Sequence, residues 1–232
     1  MSFLRKEVIG DCELYLGDCL DVMPGLGKVD AVVTDPPYGA ANSSSWGGLH
    51  GKCTIKNDED LTIRDKALDA IEFDRALVFG SPKKSKPADT RQTIIWEKGG
   101  HCGMGDLTIP WKPNFEEIYI LGSGFVGERS SGVIYIISDR ECNGVVRERF
   151  HPTEKPLQLM QELIRKTPGT ILDPFMGSGT TGVACAKMGR KFIGIELEEK
   201  YHSIACRRIQ QAYDQPDLFI APPVKHKQET LL

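Results

Sequence analysis

The sequence predicts an α/β fold built on an open, mostly parallel, doubly wound sheet. Its 232 residues suffice for one domain of this class. Two short apolar runs, residues 30–34 and 170–172, each lead into an Asp-Pro step. After the second run come a glycine-rich turn, a helix-like stretch and a further apolar run that ends at Glu196. This strand–turn–helix–strand order is the repeating unit of a parallel sheet.

The first half of the chain is predicted to alternate strands with two helices. Apolar patterning indicates a strand at residues 13–16, a short helix through Met23 and a buried strand at residues 31–34. Residues 41–57, rich in Ser and Gly around Trp46, are typical of a loop. An amphipathic helix is predicted at residues 61–73, followed by strands near Leu77, Ile94, Ile118 and residues 133–137.

The second half is predicted to end in two further helices around the last strands. Pro156 begins a helix, since proline is tolerated in a first turn, and its buried face is predicted to be Leu159, Met160, Leu163 and Ile164. Residues 167–169 end it before the strand at 170–173. The stretch 183–188 closes at Gly189 as a C-cap, residues 191–195 form a strand, and the last helix covers 201–213.

Composition is compatible with a reduced intracellular protein. The formal net charge is −3, so the chain as a whole lacks the basic excess typical of nucleic-acid-binding proteins, and local basic clusters matter more than the sum. The seven cysteines include no Cys-x-x-Cys pair, and no clustered histidines accompany them, so neither a disulfide framework nor a metal site is predicted. No apolar run reaches membrane-spanning length and no signal peptide is predicted at the start. We expect a cytoplasmic location without membrane association.

The motif Asp35-Pro36-Pro37-Tyr38 follows the strand at residues 31–34 directly. The two prolines hold the backbone extended and remove two N–H donors, so the carbonyls of Asp35 and Pro36 can point outward beside the Asp35 carboxylate. Tyr38 adds a flat aromatic face. Rigid acceptors beside a stacking ring suit a planar ring that carries an exocyclic amine. A strand-terminating turn with a structural tyrosine is the alternative.

The segment Gly177-Ser178-Gly179-Thr180-Thr181-Gly182 matches a dinucleotide fingerprint, with Glu196 placed to bind a ribose diol. An NAD enzyme is therefore one interpretation, and a plain turn between strand and helix is another. A phosphate-binding P-loop is disfavoured because no lysine follows the glycines. The preceding Asp173-Pro174-Phe175 lies outside the NAD pattern.

Together the motifs resemble those of DNA methyltransferases that act on exocyclic amines with S-adenosylmethionine. The order resembles the permuted group, in which the catalytic motif at residues 35–38 precedes the cofactor motif at residues 173–181. A third family motif matches residues 151–156, and residues 16–20 match the segment upstream of the catalytic strand. The resemblance spans about residue 14 to about residue 210 and implies a Rossmann-like methyltransferase fold. Target bases in a duplex would have to be flipped out.

The resemblance implies a role for each matched residue. Asp35, Pro36, Pro37 and Tyr38 are the expected catalytic residues. The expected cofactor-binding residues are Asp18, Asp35, His151, Lys155, Asp173, Phe175, Gly177, Gly179, Thr180, Thr181 and Glu196. Asp18 would lie near the cofactor's adenine and Lys155 near its methionine moiety, although helix capping is the alternative for Asp18, His151 and Lys155. Tyr38, Trp46, Lys83, Lys84, Arg147 and Arg149 are the expected DNA contacts, whereas Trp96 is expected in the core.

A single domain is expected over residues 1–214, with a catalytic half at 14–124, a short segment at 125–150, a cofactor half at 151–214 and a C-terminal tail at 215–232. Larger relatives carry an extended recognition region where this chain has residues 125–150. Readout of the DNA sequence is then limited, shared across a homodimer or carried by the loop at 41–57. We expect the chain to come from a prokaryote or a phage, in a restriction-modification or phage context.

Several functions remain open on sequence grounds. Asp at position 35 favours adenine N6, since the cytosine-N4 enzymes of the family more often carry Ser there. Methylation of cytosine N4 is the alternative within the class. Methylation of cytosine carbon is disfavoured because the chain holds no Pro-Cys pair. A cofactor-binding accessory subunit without catalysis is a third interpretation, which the intact tetrapeptide disfavours, and an NAD oxidoreductase is a distant fourth.

Overall fold

Strands form the framework of the residues that the computed structural model describes, which are 3–37, 61–99, 108–112, 114–137, 141–142, 145–146 and 154–215. The strands that enter the main sheet are β1 (Arg5–Ile9), β2 (Cys12–Leu16), β3 (Val29–Thr34), β4 (Phe73–Gly80), β5 (Gln92–Glu97), β6 (Phe115–Gly122), β7 (Val133–Tyr135), β10 (Ile171–Asp173) and β11 (Phe192–Glu196). A separate antiparallel ribbon is made by β8 (Glu141–Cys142) and β9 (Val145–Val146).

The main sheet has the order β1-β2-β11-β10-β3-β4-β6-β5-β7. Its centre is parallel, because β2, β11, β10, β3 and β4 all run in the same direction. Antiparallel pairs occur where β1 joins β2 and where β6 lies between β4 and β5, and the edge strand β7 runs parallel to β5. The predicted open, mostly parallel sheet is confirmed.

Helices cover both faces of this sheet. They are α1 (Cys19–Val22), α2 (Thr62–Asp69), α3 (Leu157–Arg165), α4 (Thr180–Lys187) and α5 (Glu199–Asp214), with a 3-10 turn at Met23–Gly25. Along β3 the side chains alternate between the faces: Ala31 and Val33 join the core under α3, α4 and α5, whereas Val32 joins the core under α1 and α2. The doubly wound arrangement is therefore confirmed.

Most predicted elements are present close to their predicted positions. The buried face of α3 consists of Leu159, Met160, Leu163 and Ile164, as predicted. The C-cap of α4 is Met188, one residue before the predicted Gly189. Gly189 follows with a φ of +62°, and the amide N–H of Arg190 donates to the carbonyl of Cys185 at 2.9 Å, so this glycine ends the helix as predicted. Trp96 is 2% exposed and donates its indole N–H to the carbonyl of Ile136, so its assignment to the core is also confirmed.

Some predicted helix boundaries are wrong, and one strand was not predicted. The helix expected at residues 61–73 ends at Asp69, because Phe73 already pairs with Val29 as the first residue of β4. Pro156 is the N-cap of α3 rather than its first residue, and α3 begins at Leu157. The charged strand β1 was not predicted, since its antiparallel partner β2 rather than its own pattern holds it at the sheet edge.

Among the described residues, no helix is both long enough and apolar enough to span a bilayer. The same residues contain no cluster of three or more His, Cys, Asp or Glu side chains that could hold a metal ion. Cys12, Cys19, Cys185 and Cys206 are free thiols.

Candidate active site

The carboxyl ends of four parallel strands meet at one edge of the sheet, and the motif residues follow them. Asp35 comes directly after β3, the turn that begins with Phe175 comes after β10, Glu196 ends β11, and Asp18 follows β2. The amide N–H of Gly17 donates to the carbonyl of Glu196 at 2.9 Å, which joins two of these ends. Ligands of open α/β sheets bind at this edge.

A pocket at this edge brings together residues from both halves of the chain. The predicted site residues in its lining are Asp35, Lys155, Asp173, Phe175, Gly177, Thr180 and Thr181. Glu154, Met160, Met176 and Ser178 also line it and were not predicted. Asp18, Gly179 and Glu196 lie beside this lining. Tyr38, Trp46, Arg147, Arg149 and His151 lie outside the described residues.

The Asp173 carboxylate braces the base of the pocket. One oxygen accepts from the hydroxyl of Thr34 at 2.7 Å and the other from the hydroxyl of Thr181 at 2.6 Å. The amide N–H of Phe175 also donates to it, at 3.2 Å. Burial raises the pKa of Asp173 to about 6, although these hydrogen bonds work in the opposite direction. Asp173 therefore joins β3, β10 and α4 in the lining of the pocket.

The two glycines of the turn at residues 175–179, called here the glycine turn, serve different purposes. Gly177 has a φ of +54°, and a Cβ there would meet nothing within 4 Å, so its backbone faces open space in the pocket. Gly179 has a φ of +82°, and its Cβ would lie 2.8 Å from the Cβ of Ala205 on α5. Only glycine allows both the backbone angles and the close approach to α5.

Glu196 holds the glycine turn from the neighbouring strand. One carboxylate oxygen accepts from the amide N–H of Gly177 at 2.8 Å, and the other accepts from the amide N–H of Glu198 at 2.8 Å. Burial raises the pKa of Glu196, and these two backbone bonds oppose that rise. Each carboxylate oxygen has a second lone pair and can still accept from a hydroxyl pair.

Asp18 caps α1. Its side chain accepts from the amide N–H of Leu20 at 2.9 Å, and its own backbone is extended, as an N-cap requires. The helix-capping interpretation of Asp18 is thus confirmed. Its proximity to the end of β11 keeps it available for the additional role that the family resemblance implies.

Lys155 lies in the pocket wall between two carboxylates. Its Nζ atom is 2.8 Å from Oδ2 of Asp35 and 2.9 Å from Oε2 of Glu116, and it is 4.9 Å from the ring centroid of Phe79. Burial alone would lower the pKa of Lys155, but the charges of Asp35 and Glu116 raise it overall. Lys155 is therefore a charged group fixed against the proposed catalytic carboxylate.

Glu116 extends this contact into a row of alternating charges. Besides Lys155, its carboxylate accepts from the ammonium of Lys98 on the next segment of the sheet. Burial acts to raise the pKa of Glu116, but Lys155 and Lys98 lower it overall. Glu116 was not predicted as a site residue. The only indication in the sequence was an acidic residue inside an apolar strand.

Arg208 of α5 is a second residue that the sequence analysis did not predict for the site. Its guanidinium donates to the carbonyl of Ser178 at 2.7 Å and to the Ser178 hydroxyl at 2.8 Å, and it pairs with the Glu154 carboxylate. Its side chain is only 14% exposed. Arg208 thereby fastens the glycine turn to α5.

Lys83 and Lys84 are exposed in the turn that follows β4. Because β4 runs parallel to β3, this turn lies at the same edge of the sheet as Asp35. Backbone contacts to Ser81 fix the turn: the amide N–H of Lys84 donates to its carbonyl at 3.0 Å and that of Lys83 to its hydroxyl at 3.3 Å. Two exposed lysines thus lie at the edge of the sheet that also carries Asp35.

One curated relative aligns with most of this chain, and another aligns with a short part of it. The protein YubD of Escherichia coli (strain K12) is 30% identical over 214 residues, which cover 83% of this chain and 88% of YubD. The type II methyltransferase M2.DpnII of Streptococcus pneumoniae is 49% identical, but over only 63 residues, which are 26% of this chain and 24% of that enzyme.

Solved structures share the fold. The M1.HpyAVI–SAM complex superposes with a TM-score of 0.60 at 24% identity, covering 85% of this chain and 99% of that one. The cytosine-N4-specific PvuII DNA methyltransferase superposes with a TM-score of 0.64 at 16% identity, covering 92% of this chain and 95% of that one.

A family profile matches most of the strands of the sheet and all pocket-lining residues that follow β3 and Asp35 in the sequence. The N6_N4_Mtase profile, described as DNA methylase, matches residues 57–207. That match extends over more than half of the chain and includes Glu116, Lys155, the glycine turn and Glu196. The chain therefore belongs to the N6/N4 DNA methylase family.

Proposed function

We propose that this protein transfers the methyl group of S-adenosylmethionine to the N6 amine of adenine in double-stranded DNA. The observation that carries the proposal is the juxtaposition of Asp35 with the glycine turn: both line one pocket at the carboxyl edge of a parallel sheet. A carboxylate acceptor beside a cofactor turn is what transfer to an amine requires.

The residues beside the pocket fit the cofactor. The open space at Gly177 admits a ligand against the backbone, and Glu196 offers carboxylate oxygens to the ribose hydroxyls. Phe175, Gly177 and Gly179 would surround the methionine end, with Thr180 nearby. When bound, the cofactor supplies an electrophilic methyl group on a sulfonium.

Four further residues would support the cofactor less directly. Asp18 follows β2 and would lie near the cofactor's adenine. The hydroxyl of Thr181 donates a hydrogen bond to the Asp173 carboxylate at 2.6 Å. We therefore propose that these two residues stabilise the pocket as much as they contact the cofactor. His151 would complete this set from the third motif.

Asp35 and Pro36 would prepare the target amine. The lone pair of an exocyclic nitrogen is conjugated with its ring, which makes the amine a poor nucleophile. Hydrogen bonds from its N–H groups to the Asp35 carboxylate and the Pro36 carbonyl would localise that lone pair and aim it at the methyl group. Pro37 would keep this segment extended, and no covalent bond to the protein is needed.

Double-stranded DNA would approach across the edge that carries Lys83 and Lys84. Arg147 and Arg149 would add phosphate contacts, and Trp46 would touch the DNA from the loop at residues 41–57. Flipping a base out of the duplex costs a few kcal/mol. Stacking on Tyr38 would offset much of that cost, since a base on an aromatic face gains about 1–3 kcal/mol.

The choice of adenine rests on Asp35 and on the family resemblance. Methylation of cytosine N4 is the second candidate, and the cytosine-N4-specific PvuII enzyme shares this fold at 16% identity. We also propose, from the order of the motifs in the sequence, that the chain belongs to the permuted group. A homodimer that shares sequence readout remains part of this proposal, as does a restriction-modification context.

The two other interpretations lose support. Gly182, the third glycine of the dinucleotide fingerprint, lies inside α4, where a Cβ would meet Ile209 at 2.5 Å and Phe192 at 2.8 Å. The third glycine of a dinucleotide fingerprint has this same packing role, so the argument against NAD is that the chain belongs to the N6/N4 DNA methylase family. An accessory subunit would have no need of an intact Asp35 tied to a buried lysine.

A methyl-transfer assay tests the proposal. The protein is incubated with labelled S-adenosylmethionine and unmodified duplex DNA, and the digested nucleosides are identified by mass spectrometry. N6-methyldeoxyadenosine is the expected product. N4-methyldeoxycytidine would keep the reaction class but replace the base, and no methylated nucleoside despite cofactor binding would contradict the proposal.

A further inference from the structure

Glu116 is a largely buried carboxylate on β6 whose charged partners lie outside that strand. It is the second residue of β6, paired in register with Trp96 of β5, and its side chain is only 17% exposed. Its neighbour Glu117 accepts from the hydroxyl of Tyr119 at 2.8 Å, a local contact within the strand. Glu116 instead turns its carboxylate toward the cations of Lys98 and Lys155.

Lys155 depends on this carboxylate for its position. Its side chain is 7% exposed, and an ammonium taken out of water needs anionic partners on more than one side. Glu116 approaches Nζ from β6 at 2.9 Å, while Asp35 approaches it from the end of β3 at 2.8 Å. The position of Nζ, and with it the position of Oδ2 of Asp35, is thus a compromise between two carboxylates.

We propose that Glu116 is a positioning residue for methyl transfer, which acts through Lys155 to fix the Asp35 carboxylate at the pocket. The inference rests on the proposed function, and it adds a residue that belongs to none of the motifs. Glu116 touches neither base nor cofactor in this role.

The proposed role has a physical consequence for the amine. While Glu116 shares the charge of Lys155, Asp35 keeps lone pairs directed at the target amine. Without the Glu116 charge, Lys155 would be drawn toward Asp35 and would compete with the amine for the same oxygens. Small displacements of a positioning group are costly, since about 1 Å can lower a rate about a hundredfold.

The test is a double-mutant cycle on single-turnover methyl transfer, with labelled S-adenosylmethionine and duplex DNA at saturating concentrations. The variants are Glu116→Gln, Lys155→Met and the two combined. Glu117→Gln is the matched control, because it lies on the same strand next to the altered position. Calorimetry gives the cofactor dissociation constant of each variant, and thermal unfolding checks that each is folded.

We expect Glu116→Gln to lower the transfer rate about tenfold while the cofactor dissociation constant changes less than about twofold. In the Lys155→Met background the same change should alter the rate less than about twofold, since Glu116 then has nothing to act through. Glu117→Gln should match the wild type. If Glu116→Gln does not fold, the comparison of the combined variant with Lys155→Met still applies, because the combined variant leaves no unpaired buried charge of this pair.

Two results would overturn the inference alone: an active wild type with an unaltered Glu116→Gln rate, or equal losses from Glu116→Gln in both backgrounds. A wild type that binds the cofactor but methylates neither base would refute the proposed function itself, and the inference would fall with it.

Discussion

The Nζ atom of Lys155 lies 2.8 Å from Oδ2 of Asp35, although the two residues come from different halves of the chain. Lys155 precedes α3, on the way to the glycine turn, and Asp35 directly follows β3. This ion pair therefore joins the proposed catalytic motif to the segment that leads into the proposed cofactor motif. Glu154, which precedes Lys155 in the sequence, pairs with Arg208, and Arg208 also donates to the carbonyl of Ser178 in the glycine turn.

Arg208→Lys should weaken cofactor binding. A lysine keeps the charge but loses the planar fork that contacts Ser178 and Glu154 together. We expect the dissociation constant for S-adenosylmethionine, measured by calorimetry, to rise about tenfold, which corresponds to about 1.4 kcal/mol. The exposed neighbour Arg207→Lys is the control and should stay near the wild-type value. Equal affinities for both variants would show that the glycine turn does not depend on Arg208.

Replacing either glycine of the glycine turn by alanine should separate stability from binding. Gly179→Ala adds a Cβ at 2.8 Å from Ala205 and strains a φ of +82°, so we expect unfolding free energy in urea to fall by about 2–4 kcal/mol. Gly177→Ala meets open space and should cost about 1–2 kcal/mol from its backbone angle alone. Its methyl group would face the pocket, so calorimetry should show the greater loss of cofactor affinity for Gly177→Ala. The reverse order in either measurement would contradict this account.

Asp173 should make stability depend on pH in a distinctive direction. Its folded pKa of about 6 lies above its ordinary value of 3.8, so the folded state binds the proton more tightly than the unfolded state. This contribution to stability is fully present below about pH 3.8 and is lost as the pH rises through about 6. Relative to Asp173→Asn, the wild type should lose about 3 kcal/mol of unfolding free energy between pH 3.8 and 7. Urea titrations of both proteins at several pH values measure the difference, and a difference that is constant with pH would contradict a raised pKa.

Glu196→Ala should mainly weaken cofactor binding. The change removes the carboxylate that we assign to the ribose hydroxyls and also frees the amide of Gly177. We expect the dissociation constant to rise at least about tenfold, in line with about 1.5–3 kcal/mol for a hydrogen bond to a charged group. Glu199→Ala, on an exposed residue of the following helix, serves as the comparison. Unchanged affinity in Glu196→Ala would remove this residue from the ribose site.

Sequence patterns predicted the central sheet because those strands carry their own signal. The strands at Asp35 and Asp173 are short, apolar and end in Asp-Pro, and both lie in the parallel centre. The edge strand β1 is charged and takes its structure from its partner β2, so no local pattern could indicate it.

Pocket residues that belong to a sequence motif could be predicted. Pocket residues that reach the site only through the packing of distant elements could not. Lys155 was assigned from its motif, but its contact with Asp35 became visible only once the two halves were packed together. Glu116 and Arg208 lie in no motif. They reach the site because β6 lies beside β4 and because α5 packs on the glycine turn, and both are long-range consequences of topology.

The most direct test of the central claim is the single-turnover transfer rate of Asp35→Ala on duplex DNA, measured together with its affinity for S-adenosylmethionine. We expect the rate to fall by about 10²–10³-fold, the effect of removing a preorganised polar group from a reacting centre. Cofactor affinity should stay within about threefold, because the glycine turn and Glu196 are retained. Asp21→Ala, an exposed carboxylate on α1, is the control. Near-normal transfer by Asp35→Ala would contradict the assignment of Asp35 as the group that prepares the amine.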